Sequence, residues 1–406
     1  VSAAVLIGTL DTKGRELEFI SDRLDASGIP TIVVDVGVLG EPQVSADVSR
    51  AAVAAAGGSS LAELRADGDR GAAVAAMARG AEAVVQRLHA EGTLGGVLGI
   101  GGSAGATIAS AAMRSLPTGI PKLIVSTVAS GDTRPYVGAT DITMMYPVVD
   151  IAGLNQVSVR ILTNAAGAMA GMLSVAPVAE SDKRPLIAAT MFGVTTPSVT
   201  RAQAKLDALG YEVLVFHATG IGGDSMENLA ADGYFDAVLD ITTTELADEL
   251  AGGVCPAGPR RLDLAGSETP RVVSLGALDM VNFGPLDTVP DRYRERQLNR
   301  HNDSVTLMRT DVAECAALGA TIAARLNRAE GPVAVLIPRH GVSAIDAEGE
   351  PFFAPEADSA LFESLLEGLR PEVEVHDLPL HINDPEFADA AVAIVHRFAS
   401  GPVESN

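Results

Sequence analysis

Apolar positions along the chain fall into two alternating rhythms. Continuous aliphatic runs of seven to nine residues (1–8, 30–38, 94–100 and 122–129) read as strands buried on both faces. Between them lie stretches with apolar residues at helical spacing. Leu17, Ile20 and Leu24 mark one, which Gly28 ends; residues 45–56, 70–91 and 107–116 are Ala-rich and read the same way. The pattern then repeats. Strands are predicted at 185–192, 211–218, 235–241, 271–277, 332–338 and 372–378, and helices at 197–210, 225–233, 243–253, 360–369 and 387–398. Strand–helix–strand order implies doubly wound, mainly parallel sheets flanked by helices, in two α/β domains. The polar, Pro-bounded stretch 176–185 sets the expected boundary, giving domains 1–178 and 183–406. No short internal repeat is evident.

Composition narrows the classes. At 47% hydrophobic the 406 residues are globular, and with 4% aromatics and no Trp the cores must be aliphatic. A net charge of −23 without a Lys/Arg cluster argues against nucleic acid as a partner. No apolar run reaches the roughly 20 residues of a membrane span. Cys255 and Cys315 stand far apart without metal-ligand neighbours, so free thiols in a reducing cytoplasm are expected. The N-terminal residues lack a basic, cleavable leader pattern.

In open α/β sheets ligands bind beyond the carboxyl ends of strands, so the chemistry is sought in the loops there. The first such loop holds Asp11 and Lys13, either a helix cap and a solvated lysine or a metal or ribose acceptor beside a phosphate-binding cation. The third, GIGGSAGAT (99–107), crowds glycines at a helix start, where bare N–H groups can cradle an anion. It lacks the Gly-Lys-Ser/Thr of a P-loop and lies too late in the chain for a dinucleotide fingerprint. The alternative is a tight turn for helix–strand packing. The fourth loop brings Ser126, Thr127, Ser130 and Gly131.

The second half offers Thr195 and Thr196 after one strand, His217 and Gly222 after the next, and Thr243 and Glu245 after a third. Asp279, Asn282, His301, Asn302, His340 and His381 follow. His217, Asp279 and His340 are the candidate acid–base residues. Thr195, Thr196, Gly222, Thr243, Glu245, Asn282, His301, Asn302 and His381 are candidates for holding substrate. A divalent metal is the alternative use of these histidines and acids, although no zinc spacing is present.

Taken in order, the segments TLDTKG, GIGGSAGAT, STVASGD, YVG, MFGVTTP, TGIGG, TTTE, LGALDMVNFG, RHN and LHINDPEFA resemble the Tm-1-like, or UPF0261, family across essentially the whole chain. The resemblance implies two α/β domains of Rossmann-like topology, binding of ATP with Mg, and a homo-oligomer, with a dimer foremost. It points to Asp11, Lys13, Gly101, Gly102, Ser103, Gly105, Thr107, Ser126, Thr127, Ser130 and Gly131 as nucleotide contacts. One departure stands out: a family GGSxGT pattern reads GGSAGAT here, which moves the hydroxyl one position along. The expected function is ATP–Mg binding with phosphoryl or adenylyl chemistry on a small carboxylate or sugar in the second domain. Two rivals stay open. One is a nucleotide-independent isomerase, lyase or hydrolase acting on a phosphorylated or carboxylate metabolite. The other is a nucleotide-bound regulator with a protein partner.

Overall fold

The computed structural model describes residues 2–175 and 184–401. They form two compact units, one on each side of residues 176–183. The expected join, 178 to 183, falls outside the described residues.

The first unit runs β1 (Ala3–Gly8), α1 (Leu10–Asp25), β2 (Thr31–Asp35), α2 (Arg50–Ala56), α3 (Leu61–Asp67), α4 (Arg70–Ala90), β3 (Leu94–Ile100), α5 (Ser103–Arg114), β4 (Lys122–Val125), α6 (Arg134–Val137), β5 (Thr143–Met145) and α7 (Gln156–Ser174). Its five strands are all parallel, in the order β2-β1-β3-β4-β5. Every residue of β1 is buried, because both faces of the sheet are covered. Val5 and Ile7 join a core with α2, α4 and α5, while Ala4 and Leu6 join another with α1 and α7. Helices α2 and α4 touch backbone to backbone. A Cβ on Gly80 would lie 1.9 Å from the Val53 carbonyl oxygen, and one on Gly57 2.1 Å from that of Ala76. Strand β5 lies outside the strands predicted from sequence: three residues at a sheet edge, too short to show a period.

The second unit runs β6 (Leu186–Met191), α8 (Thr196–Ala208), β7 (Glu212–His217), α9 (Ile221–Ala231), β8 (Ala237–Thr242), α10 (Glu245–Ala251), β9 (Arg271–Gly276), β10 (Met280–Phe283), β11 (Leu298–Asn302), β12 (Val305–Arg309), α11 (Val312–Leu326), β13 (Val333–Pro338), α12 (Pro355–Gly368), β14 (Glu374–Leu378) and α13 (Pro385–Ala399). The main sheet is parallel, in the order β14-β13-β9-β8-β6-β7. Numbered within the unit this is 2-1-3-4-5-6, the winding of the first sheet with one strand added. A second sheet, β10-β12-β11, is antiparallel and inserted between β9 and β13. This ribbon corrects the sequence reading, which took its residues as strand-end loops. Asn282 lies inside β10, and His301 and Asn302 close the exposed end of β11. The polar run LNRHN conceals the strand because only its pairing with β12 makes it one. Both units are nonetheless Rossmann-like: mainly parallel sheets flanked by helices. Among the described residues no helix is long and apolar enough to cross a membrane.

Candidate functional site

The first sheet reverses its winding between β1 and β3. Strand β1 leads into α1 on one face, and β3 leads into α5 on the other. A crevice must open at the carboxyl ends of these strands, and a cavity of about 480 Å³ lies there. Its lining includes Asp11, Lys13, Gly101, Gly102, Ser103 and Gly105 from the sequence-predicted set.

The glycine turn is built for close approach. A Cβ on Gly101 would stand 3.0 Å from the Gly105 Cα, and one on Gly105 3.2 Å from the Ile100 carbonyl oxygen. Gly102 instead faces open space. It is the N-cap of α5 and supplies no side-chain cap. The first-turn N–H groups and the positive end of the helix dipole therefore lie beside the cavity.

Charges sit around this turn. The Lys13 ammonium donates to the Ile151 carbonyl, and Arg70, at the first position of α4, has no ion pair among the described residues. Asp11 accepts from the Gly40 N–H at 3.0 Å through Oδ2, while its Oδ1 is buried without a partner. Residues 36–43 form a strap beside the cavity. Asp35 anchors it, accepting from the N–H groups of Leu10 and Gly37 and from Arg50 Nε at 2.6 Å. Asp69 accepts from the N–H groups of Gly71 and Ala72, capping α4.

The remaining predicted nucleotide contacts do not line this cavity. Thr107 Oγ1 turns back to the Ser103 carbonyl at 2.9 Å. Ser126 caps the short turn 127–130, and Ser130 Oγ donates to the Thr127 carbonyl; Gly131 follows that turn. Sequence reasoning missed the apolar wall, which Val36, Val38 and Leu39 share with Leu64, Val74, Met77 and Ile108. The only sequence signal was Leu39 itself, an apolar residue between glycines just past a strand.

In the second sheet the equivalent crevice, between β6 and β8, is closed. Thr195 and Thr242 bridge it by a 2.7 Å hydroxyl contact, and both are fully buried. Thr243 donates to the Ser274 carbonyl, and Thr196 to that of Phe192. Glu245 is enclosed, accepting from the N–H groups of Gly220 and Gly223 and from Arg261 Nε at 2.6 Å. Arg261 also donates to both oxygens of Asp240 and to Glu227, which Arg271 reaches as well. Burial pushes the Glu245 carboxyl up, against the pull of Arg261. Gly222 serves packing, since a Cβ there would stand 1.8 Å from the His217 carbonyl oxygen. Asn282 donates twice to buried Asp248, whose carboxyl burial raises to about 6.

The three candidate acid–base residues are not brought together. His217 is the last residue of β7 and His340 follows β13, with three strands between them. Four strand spacings put those strands ~19 Å apart. His217 is exposed and stacked on Phe192, and His340 is exposed. Asp279 is buried, accepts from Ser343 Oγ at 2.8 Å, and is raised to about 6 mainly by burial. His381 is held between the Ser343 carbonyl and the Asn383 N–H. Asn302 accepts from the Ser304 N–H in the β11–β12 turn, and His301 beside it is exposed. Near Asp279 lies a buried cluster in which Arg309 donates to Asp358 at 2.5 Å and to Asp346 at 3.3 Å. No group of three His, Cys, Asp or Glu side chains among the described residues has metal-site geometry.

Both halves match family domains. Residues 2–177 match the Uncharacterised protein family (UPF0261) N-terminal domain, and residues 184–399 match the C-terminal domain of the same family. A UPF0261 protein of Clostridium tetani is 52% identical over 388 residues, covering 95% of this chain and 96% of that protein. A UPF0261 protein of Rhizobium meliloti is 49% identical, covering 97% and 98%. The ToMV resistance protein Tm-1(GCR237) of Solanum lycopersicum is 46% identical over 333 residues, covering 80% of this chain and 44% of that protein. With both domains matched in series and relatives aligned end to end, the chain belongs to the UPF0261 family.

Proposed function

We propose that the first unit binds ATP with Mg in the crevice between β1 and β3. One observation carries this reading. The uncapped start of α5, on a turn that Gly101 and Gly105 draw tight, lies beside a cavity that Lys13 and Arg70 also line. Backbone N–H groups and two cations suit a polyphosphate better than a single carboxylate. The donor set also fits Mg, which takes few protein ligands and completes its shell with phosphate oxygens and water. Asp11 would hold it through its unpartnered Oδ1. Bound there, the metal would supply neutralisation of phosphate charge. This charge arrangement serves transfer of a phosphoryl or adenylyl group to a small carboxylate or sugar.

A second reading, a nucleotide-bound regulator without turnover, is favoured by a different observation. No histidine lines the cavity, and its carboxylates, Asp11 and Asp69, already accept main-chain N–H groups. Titration calorimetry with ATP–Mg tests the shared premise. Gly102→Val places a side chain in open space, so it should fold normally and block the phosphate site. An affinity loss of at least ~10-fold is expected, and a similar loss for Lys13→Ala, which removes a charge-assisted contact. Unchanged affinity in both variants sinks the premise. Phosphorus NMR of ATP incubated with the protein and candidate acceptors then separates transfer from simple binding.

A further inference from the structure

The cavity has two chemically different parts. Its polar side chains cluster at the strand ends and the first turns of α1, α4 and α5. The rest of its lining is hydrocarbon: Val38 and Leu39 from the strap, Leu64 from α3, Val74 and Met77 from α4, and Ile108 from α5. Met77 lies seven residues into α4 and Ile108 five residues into α5, about one and a half to two turns beyond the charged rim. Part of the strap's main chain is already engaged. The N–H groups of Gly37 and Gly40 are donated to Asp35 and Asp11, and the carbonyls of Val38 and Gly40 accept from Arg65 and Arg50. Leu39, at the tip of the strap, is 79% exposed while its neighbours Val36 and Leu64 are buried.

Resting on the nucleotide reading, we infer that this wall is a nucleobase slot whose side chains select by shape and apolar contact only, so that the site accepts Mg–nucleoside triphosphates as a class. Discrimination between adenine and guanine needs donors and acceptors aimed at the base edge. The side chains of the wall provide none. Arg70 on the rim is a donor only, which a phosphate or the N7 of either purine satisfies. An apolar pocket separates near-isosteric ligands by no more than ~200-fold, against ~10⁴-fold or more for a site built to hydrogen-bond the edge. Leu39 gains its contact only when a planar group covers it.

The test is calorimetry of the full chain, with Mg present, using ATP, GTP, CTP, UTP and inorganic triphosphate. The two purine nucleotides should bind within ~10-fold of each other, and inorganic triphosphate at least ~10-fold more weakly than either. Leu39→Ser should weaken all four nucleotides by ~3–10-fold and leave inorganic triphosphate unchanged. Binding of ATP with GTP more than ~200-fold weaker would overturn the slot and leave the nucleotide reading standing. Inorganic triphosphate binding as tightly as ATP would also overturn it. Failure of every nucleotide to bind would remove the nucleotide reading, and the slot with it.

Discussion

Replacing Asp346 by Asn should stabilise the second unit at neutral and alkaline pH and leave it unchanged in acid. Asp346 is fully enclosed and shares Arg309 with Asp358, while Asp279 lies close by. Burial foremost, then repulsion from Asp279 and Asp358, pushes its carboxyl up to about 8 from an ordinary 3.8. Between those values the folded protein keeps a proton that the unfolded chain has released. Its contribution to stability is therefore complete below about pH 4 and is lost as pH rises toward 8. At pH 7, about three pH units above the unfolded-chain value, the loss is on the order of 4 kcal/mol. An amide has no charge to bury. It can still accept from the Val342 N–H, which now reaches Asp346 Oδ2 at 2.9 Å, and can donate to Asp358 as the protonated acid does. Arg309 keeps Asp358 as its ion partner. Calorimetric melting of the full chain at pH 4 and pH 8 measures the effect, with hydrogen exchange of β13 peptides identifying the transition of the second unit. A gain of roughly 2–4 kcal/mol, or about 5–15 °C, is expected at pH 8, and a change under about 0.5 kcal/mol at pH 4. The same gain at both pH values would refute the electrostatic reasoning, and so would a wild type whose stability is flat from pH 5 to 8.

Three further outcomes follow from the same kind of accounting. Arg261→Met strands Asp240 and Glu245 in the core and should cost about 3–5 kcal/mol in denaturant unfolding of the second unit; Glu245→Gln added to it should recover part of that loss. Gly80→Ala forces α4 away from the Val53 carbonyl oxygen and should cost at least about 1–3 kcal/mol in the first unit, so an unchanged midpoint would show that the helices separate freely. Asp11→Asn should make ATP affinity nearly independent of Mg concentration, whereas the wild type should lose affinity when the metal is chelated.

The central parallel strands were legible in the sequence because burial on both faces turns them into unbroken aliphatic runs, as in VAVLIP of β13, whereas the short edge strand β5 was not. The antiparallel ribbon was not, because LNRHN becomes a strand only through its partner β12. At the site, the glycine turn at 101–105 was readable, since so bare a helix start has few uses. The wall facing it was hidden: Leu64, Val74 and Met77 have the spacing of ordinary core residues, and only tertiary packing places them beside a cavity. Glu245 shows the converse. A polar residue at a strand end fits a ligand site or an internal ion pair equally well in sequence. Its partner, Arg261, sits in a stretch outside every helix and strand, so no periodicity linked the two.

Arg261 has a consequence for anyone who would re-engineer this scaffold. Its guanidinium plugs the mouth of the second sheet like a keystone, touching three acids that would repel one another without it. Carving a new pocket there would mean removing charges in matched sets, because deleting any one leaves its neighbours stranded. The other sheet, wound in the same sense, asks for no such excavation, and side chains grafted along its strap would reshape a cavity that is already open while leaving the buried strands alone.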